Sequence, residues 1–258
     1  MLLLLIILIP ILACSPWEER KARKSLEKMG IEYNKAAFFD AVEKGNTEVV
    51  RLFLNSGFDP NFKDENGKTP LMYAAEMGHI GVSQLIMQAE KDVNIKDLNN
   101  TTALIYAARS GQTEVVQALI QANANVNVKD KFGKTALMYA AERGHIGAAQ
   151  ALIQADAELN SQDEDGITAL MYAAESDTPP IVRALIEGGA DVNMKDENGR
   201  TALIFAADMG NVEITRSLIQ ANADVNIKDD NDISALMHAN NSGYTEIASL
   251  LRQAGAKE

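Results

Sequence analysis

The chain has 258 residues, 47% of them hydrophobic and 23% charged, which is enough apolar content to bury a substantial core and too much for disorder to be the default. Its formal charge of −12 argues against a phosphate backbone as main partner, because counterion release rewards a net basic surface. A single cysteine, Cys14, excludes an intramolecular disulfide and a zinc site built on cysteines.

Residues 1–13 open the chain as MLLLLIILIPILA. At about 1.5 Å per residue the apolar run from Leu2 to Leu12 falls well short of a hydrocarbon core of roughly 30 Å, so it reads as an export signal and not as a membrane span. Ile11-Leu12-Ala13-Cys14 resembles the lipobox of bacterial lipoproteins, in which the cysteine after the cleavage point is lipidated. Two features depart from that pattern: the first residues carry no Lys or Arg, and Leu12 is bulky for its place. The resemblance implies a lipidated Cys14 and an exported, membrane-anchored protein on the periplasmic or outer-membrane side; a secreted or periplasmic soluble form is the alternative.

Residues 14–33 follow as a charged linker or helix, with Arg20, Lys21, Arg23, Lys24 and Lys28 set against Glu18, Glu19 and Glu27. The slight positive balance suits anionic headgroups as well as plain solvent.

From residue 34 to 256 the sequence repeats. Thr69, Thr102, Thr135, Thr168, Thr201 and Ser234 recur at a spacing of 33 (102 − 69 = 33), each followed by Leu two positions on and Ala five positions on, and Ala36 marks one further unit upstream. Gly45, Gly78, Gly111, Gly144, Gly210 and Gly243 share the period, as do Asn61, Asn94, Asn127, Asn160, Asn193 and Asn226. Each unit predicts a Thr- or Ser-capped helix with paired alanines such as Ala140/Ala141, a left-handed helix end, and a second antiparallel helix such as VVQALI over 115–120. Pro70 suits the first helical position. No unit can bury its apolar faces alone, so neighbours must supply the core.

These motifs resemble the ankyrin repeat, with a signature close to G-x-T-P-L-H-x-A-A-x-x-G-H followed by G-A-D-V-N. The resemblance implies an all-α solenoid of about seven 33-residue helix-turn-helix units with β-hairpin-like finger loops. The family's signature His is replaced by Met72, Ile105, Met138, Met171, Ile204 and Met237, which predicts loss of the hydrogen bond that His makes. Asp177, Asn100 and Asp232 stand where sister units have Gly, and they are the non-Gly residues that best tolerate a left-handed backbone. At the turn after the second helix, Glu90 stands where other units have Gly, Asn or Asp, so Glu90→Gly is expected to raise stability.

No metal-ligand motif, phosphate-binding loop or nucleophile elbow is present, so the expectation is no catalytic residue, no metal and no cofactor. His79 and His145 sit where the family starts its second helix, His238 takes a position held by Tyr or Phe elsewhere, and the methionines fall at core spacing. The finger aspartates Asp64, Asp97, Asp130, Asp163, Asp196 and Asp229 read as turn formers.

The family likeness implies a non-catalytic protein-protein interaction scaffold; an accessory or inhibitory subunit of an extracytoplasmic enzyme or stress-response system is the alternative. It further implies recognition through the concave face, at the finger tips and the last turn of each first helix. Those positions give Met77, Lys96, Leu98, Arg109, Lys129, Lys131, Phe132, Lys134, Arg143 and Ile167 as partner-binding residues. Phe132 stands where sister units carry Asn66, Asn99, Asp165, Asn198 and Asn231. A protein partner with an acidic and apolar patch fits this set, whereas nucleic acid and a small-molecule substrate do not.

Overall fold

A computed structural model describes residues 15–89 and 92–257; the leader, Cys14 and Glu90 lie outside the described residues. Among them are fifteen α-helices, and the only bridge is an isolated antiparallel one between Lys228 and Ser234. The first helix, α1 (Pro16–Lys28), precedes seven helix pairs. Units one to four contain α2 (Lys35–Glu43) and α3 (Thr47–Asn55), α4 (Pro70–Met77) and α5 (Ile80–Ala89), α6 (Ala103–Arg109) and α7 (Thr113–Gln121), and α8 (Ala136–Glu142) and α9 (Ile146–Gln154). Units five to seven contain α10 (Ala169–Glu175) and α11 (Pro179–Glu187), α12 (Ala202–Met209) and α13 (Val212–Gln220), and α14 (Ala235–Asn241) and α15 (Thr245–Gln253).

First helices pack on first helices of the next unit and second helices on second helices, giving two parallel layers. The alanine pairs explain the close inner layer: Ala140, Ala141, Ala173 and Ala174 are fully buried between successive units. The core is therefore continuous along the chain, as in other solenoids whose units contact only their neighbours.

Local chemistry sets each unit's boundaries. The Thr or Ser hydroxyl before each first helix of units two to seven accepts the N–H three residues on, as Thr135 does from Met138 at 3.3 Å. At three of the four methionines the replacement of His does not forfeit the second hydrogen bond as expected. The thioether sulfurs of Met72, Met138 and Met171 accept the N–H of Thr69, Thr135 and Thr168 at 3.3–3.4 Å. Ile105 and Ile204 have no such acceptor atom. Asn100 (φ 59°), Asp177 (φ 49°) and Asp232 (φ 61°) adopt the left-handed backbone expected of them.

The segment ahead of the repeats is a docked helix and not a free tether. Ala22 and Leu26 of α1 are buried, and α1 packs on α3. Arg23 donates to the Ser56 carbonyl at 3.4 Å and lies 4.5 Å from the Tyr33 ring. Below it, Tyr33, Phe38, Phe53 and Phe58 stack on one another and close that end of the solenoid.

Candidate protein-binding face

Each finger turns on one aspartate. Asp130 Oδ1 accepts the N–H groups of Phe132 (2.9 Å) and Lys134 (3.0 Å), which folds the tip back on itself. Neighbouring tips are then joined through their backbones. Leu98 N–H donates to Asn66 at 3.0 Å, Lys131 to Asn99 at 2.9 Å, and Glu164 to Phe132 at 3.1 Å. The approach is close enough that a Cβ at Gly133 would come within 2.9 Å of the Glu164 nitrogen, and Gly133 also has φ 75°. A side chain there would need a left-handed backbone and a shift of the adjoining finger.

The second carboxylate oxygen holds the first helix. Tyr73, Tyr106, Tyr139 and Tyr172 donate their hydroxyls to Asp64, Asp97, Asp130 and Asp163 at 2.8, 2.7, 2.6 and 2.5 Å. Burial, then the bond to Asp64, pushes the Tyr73 hydroxyl up to about 12, and the other three are raised for the same two causes. At Asp64 burial works upward, but the Tyr73 hydroxyl and the N–H groups of Lys68 and Asn66 outweigh it and hold the carboxyl below its ordinary value. Unit six departs: Phe205 has no hydroxyl, and Arg200 Nε donates to Asp196 Oδ2 at 3.0 Å instead. In unit seven His238 lies 3.3 Å from both Asp229 and Asp208.

Cations fill the spaces between these rings. Lys68 Nζ sits 4.1 and 4.2 Å from the Tyr73 and Tyr106 rings. The Arg109 guanidinium lies 4.7 and 5.9 Å from Tyr106 and Tyr139, and Lys134 Nζ lies 5.4 and 4.3 Å from Tyr139 and Tyr172. Arg109 also pairs with Glu76 at 3.1 Å and Lys134 with Glu142 at 3.0 Å, while Lys68 contacts Glu76 closely. Two of the residues expected to meet a partner, Arg109 and Lys134, are thus engaged in joining units. Ile167 is half-buried and packed against the core.

The rest of the expected set faces outward. Leu98 is 75% exposed, Phe132 52% and Met77 51%. Lys96, Lys129, Lys131 and Arg143 are exposed, and no ion pair holds them among the described residues. Lys129 Nζ donates to the Gln162 carbonyl at 2.7 Å, and Lys131 Nζ stands 4.9 Å from the Phe132 ring. Met209, 45% exposed and in register with Met77 (209 − 77 = 4 × 33), shares this face and was not anticipated. Its signal was the period itself.

Two of the histidines are structural. His79 Nε2 lies 2.8 Å from the Glu43 carbonyl and His145 Nε2 3.2 Å from that of Arg109, each tying a second helix to the end of the first helix of the preceding unit. No group of three or more His, Cys, Asp or Glu among the described residues could hold a metal ion.

A stacked helix-pair solenoid with an exposed finger face defines a protein-recognition scaffold. A family model described as ankyrin repeats, three copies, matches residues 38–130, 81–163, 119–196, 147–229 and 170–258 in overlapping windows. The chain belongs to the ankyrin-repeat family. Comparison with curated proteins returns no match.

Proposed function

We propose that this chain is a non-catalytic scaffold, exported and membrane-tethered through Cys14, that holds one partner protein with an acidic and apolar patch. Its contact centre is Phe132, flanked by Leu98, Lys131 and Arg143, with Met77, Lys96 and Lys129 around them. The observation that carries this reading is the half-exposed Phe132 ring at a finger tip where sister units place Asn or Asp. The repeat stacks through backbone atoms at that point, so the ring is not required for packing. Aromatic and Arg anchors near the middle of an interface carry most of its energy.

Capture of partners from membrane extract, with thermal unfolding of the same samples, tests the reading on Phe132→Ala and Arg143→Ala. Each variant should weaken capture by roughly 30-fold, the equivalent of about 2 kcal/mol, at an unchanged melting midpoint. Full capture by both would place recognition elsewhere. The tether has its own test: Cys14→Ala should move the protein out of the membrane fraction, and an unmodified Cys14 in mass spectrometry would remove the lipid anchor.

A further inference from the structure

The helix ahead of the repeats carries a surface that the finger face does not use. Trp17, Lys21, Lys24 and Lys28 follow at i, i+4, i+7 and i+11 along α1, which places them on one stripe, with Arg20 beside it. The opposite side of the helix is the one packed on the repeats, through buried Ala22 and Leu26. Trp17 is 67% exposed, and Lys21 Nζ lies 5.1 Å from its ring.

Of the helix's other charges, Glu18, Glu19 and Arg23 are engaged elsewhere, and Glu27, exposed and three residues on from Lys24, is the one carboxylate that borders the stripe. Glu18 closes the cap on Ser15, accepting from its N–H at 3.0 Å and its hydroxyl at 3.1 Å. The Glu19 carboxylate reaches toward Gly57 in the first repeat, and Arg23 is bound to the Ser56 carbonyl. Arg20, Lys21, Lys24 and Lys28 have no ion pair among the described residues.

Residues 15–28 carry five cations and three carboxylates, a balance of +2, which leaves −14 for the rest of the chain (−12 − 2 = −14). An anionic surface would therefore attract this end and repel the remainder. A tryptophan at the end of a basic stripe is the arrangement that suits a headgroup layer, where amphipathic rings settle at the interface and Lys and Arg meet anionic lipid.

We propose that the outer stripe of α1 is a docking surface for an anionic lipid bilayer, which seats the solenoid end-on at the membrane. This deepens the membrane attachment proposed above and rests on that placement in the cell. Because Ser15 is already the N-cap of α1 and Cys14 is its immediate neighbour, an acylated Cys14 would leave no slack between bilayer and helix. The lipid anchor and the stripe would then act at one place.

The test uses the full chain with Cys14→Ala, so that no acyl chain contributes. Vesicle co-sedimentation compares pure phosphatidylcholine with a mixture containing phosphatidylglycerol. The protein should partition more strongly onto the anionic vesicles, and the excess should fade as salt is raised. Adding Lys21→Glu, Lys24→Glu and Lys28→Glu should cut that excess by at least about 100-fold, while Lys195→Glu, Lys228→Glu and Lys257→Glu together leave far more of it. Trp17→Ala should weaken binding in the same direction. Equal binding to both vesicle types, equal loss in the two triple variants, or preference for duplex DNA over anionic vesicles would overturn the proposal. Any of these could occur with Cys14 acylated, so the anchor and the stripe fail separately.

Discussion

Replacing Tyr139 by Phe removes one oxygen from a buried pair and leaves the ring in place. Its hydroxyl donates to Asp130 Oδ2 at 2.6 Å, and both residues are 8% exposed. A hydrogen bond to a charged acceptor contributes about 1.5–3 kcal/mol net. Asp130 keeps two backbone donors on its other oxygen, so the loss falls low in that range, at about 2 kcal/mol. If the solenoid unfolds as one unit, the midpoint drops by about 4–8 °C. Unit six supplies the repair: with Phe205 in the tyrosine's place, Arg200 donates to Asp196 and its guanidinium lies 4.2 Å from the Phe205 ring. Tyr139→Phe with Lys134→Arg rebuilds that arrangement, so the double variant should regain most of the loss. Thermal unfolding by circular dichroism at neutral pH, on wild type, both single variants and the double, closes the cycle. A single Tyr139→Phe indistinguishable from wild type would refute the energetic role of the bond. A double variant no more stable than that single would refute the equivalence of the two devices.

The outer row of asparagines makes a second regular link: Asn127 Oδ1 accepts the Glu158 N–H at 2.9 Å, as Asn94, Asn160 and Asn193 do from Asn125, Asp191 and Asp224. Asn127→Ala should cost about 0.5–1 kcal/mol, seen as faster amide exchange at Glu158 and a lower urea midpoint. Asp64 and Asp229 both have lowered carboxyl values in the fold, against upward pressure from burial: backbone N–H donors hold both down, with Tyr73 at one and His238 at the other. Their contribution is fully present above the unfolded-chain value near 3.9 and is lost as pH falls through the folded values, so urea midpoints should decline below about pH 4. Asp229→Asn should flatten part of that decline. At the other end, Tyr73 stays neutral in the fold up to about 12, while in the unfolded chain it ionises near 10, so stability should fall between these pH values. Tyr73→Phe should reduce this alkaline slope.

The architecture was legible because every unit states it again. The period, the Thr caps and the non-Gly residues of the left-handed turns each follow from residue type and position alone, and Asn100, Asp177 and Asp232 have the expected backbone. The Tyr–Asp bonds were less visible. An aspartate in a finger is already explained as a turn former, and its second oxygen meets a tyrosine nine residues on only after the finger folds over the helix. The methionine sulfurs were missed for a different reason: a thioether at a core position reads as apolar filler, and its weak acceptor strength shows only when the capping N–H is aimed at it. In α1 the buried pair Ala22 and Leu26 is too sparse an apolar stripe to announce docking.

The charge of the finger face changes most between sequence and structure. Counted by position, Lys96, Arg109, Lys129, Lys131, Lys134 and Arg143 against Glu142 give 6 − 1 = +5 across units three and four. Arg109 and Lys134 are bound to Glu76 and Glu142 and sandwiched by tyrosine rings of adjacent units. Their loss would loosen the stack as well as alter the surface, so a binding defect from either would not identify a contact. Lys96, Lys129, Lys131 and Arg143 remain exposed without an ion pair among the described residues, with Lys131 Nζ 4.9 Å from the exposed Phe132 ring; in the proposed reading these are the cations that would meet a partner's carboxylates. Rim charges of this kind act mainly on the rate of encounter and its salt dependence, whereas a central aromatic ring acts on dissociation. Substituting Lys131→Ala and Phe132→Ala in turn should therefore separate in kinetics: slower, less salt-sensitive association for the first, and faster dissociation for the second. Matching kinetic effects from the two would mean that Phe132 is not the centre of the contact.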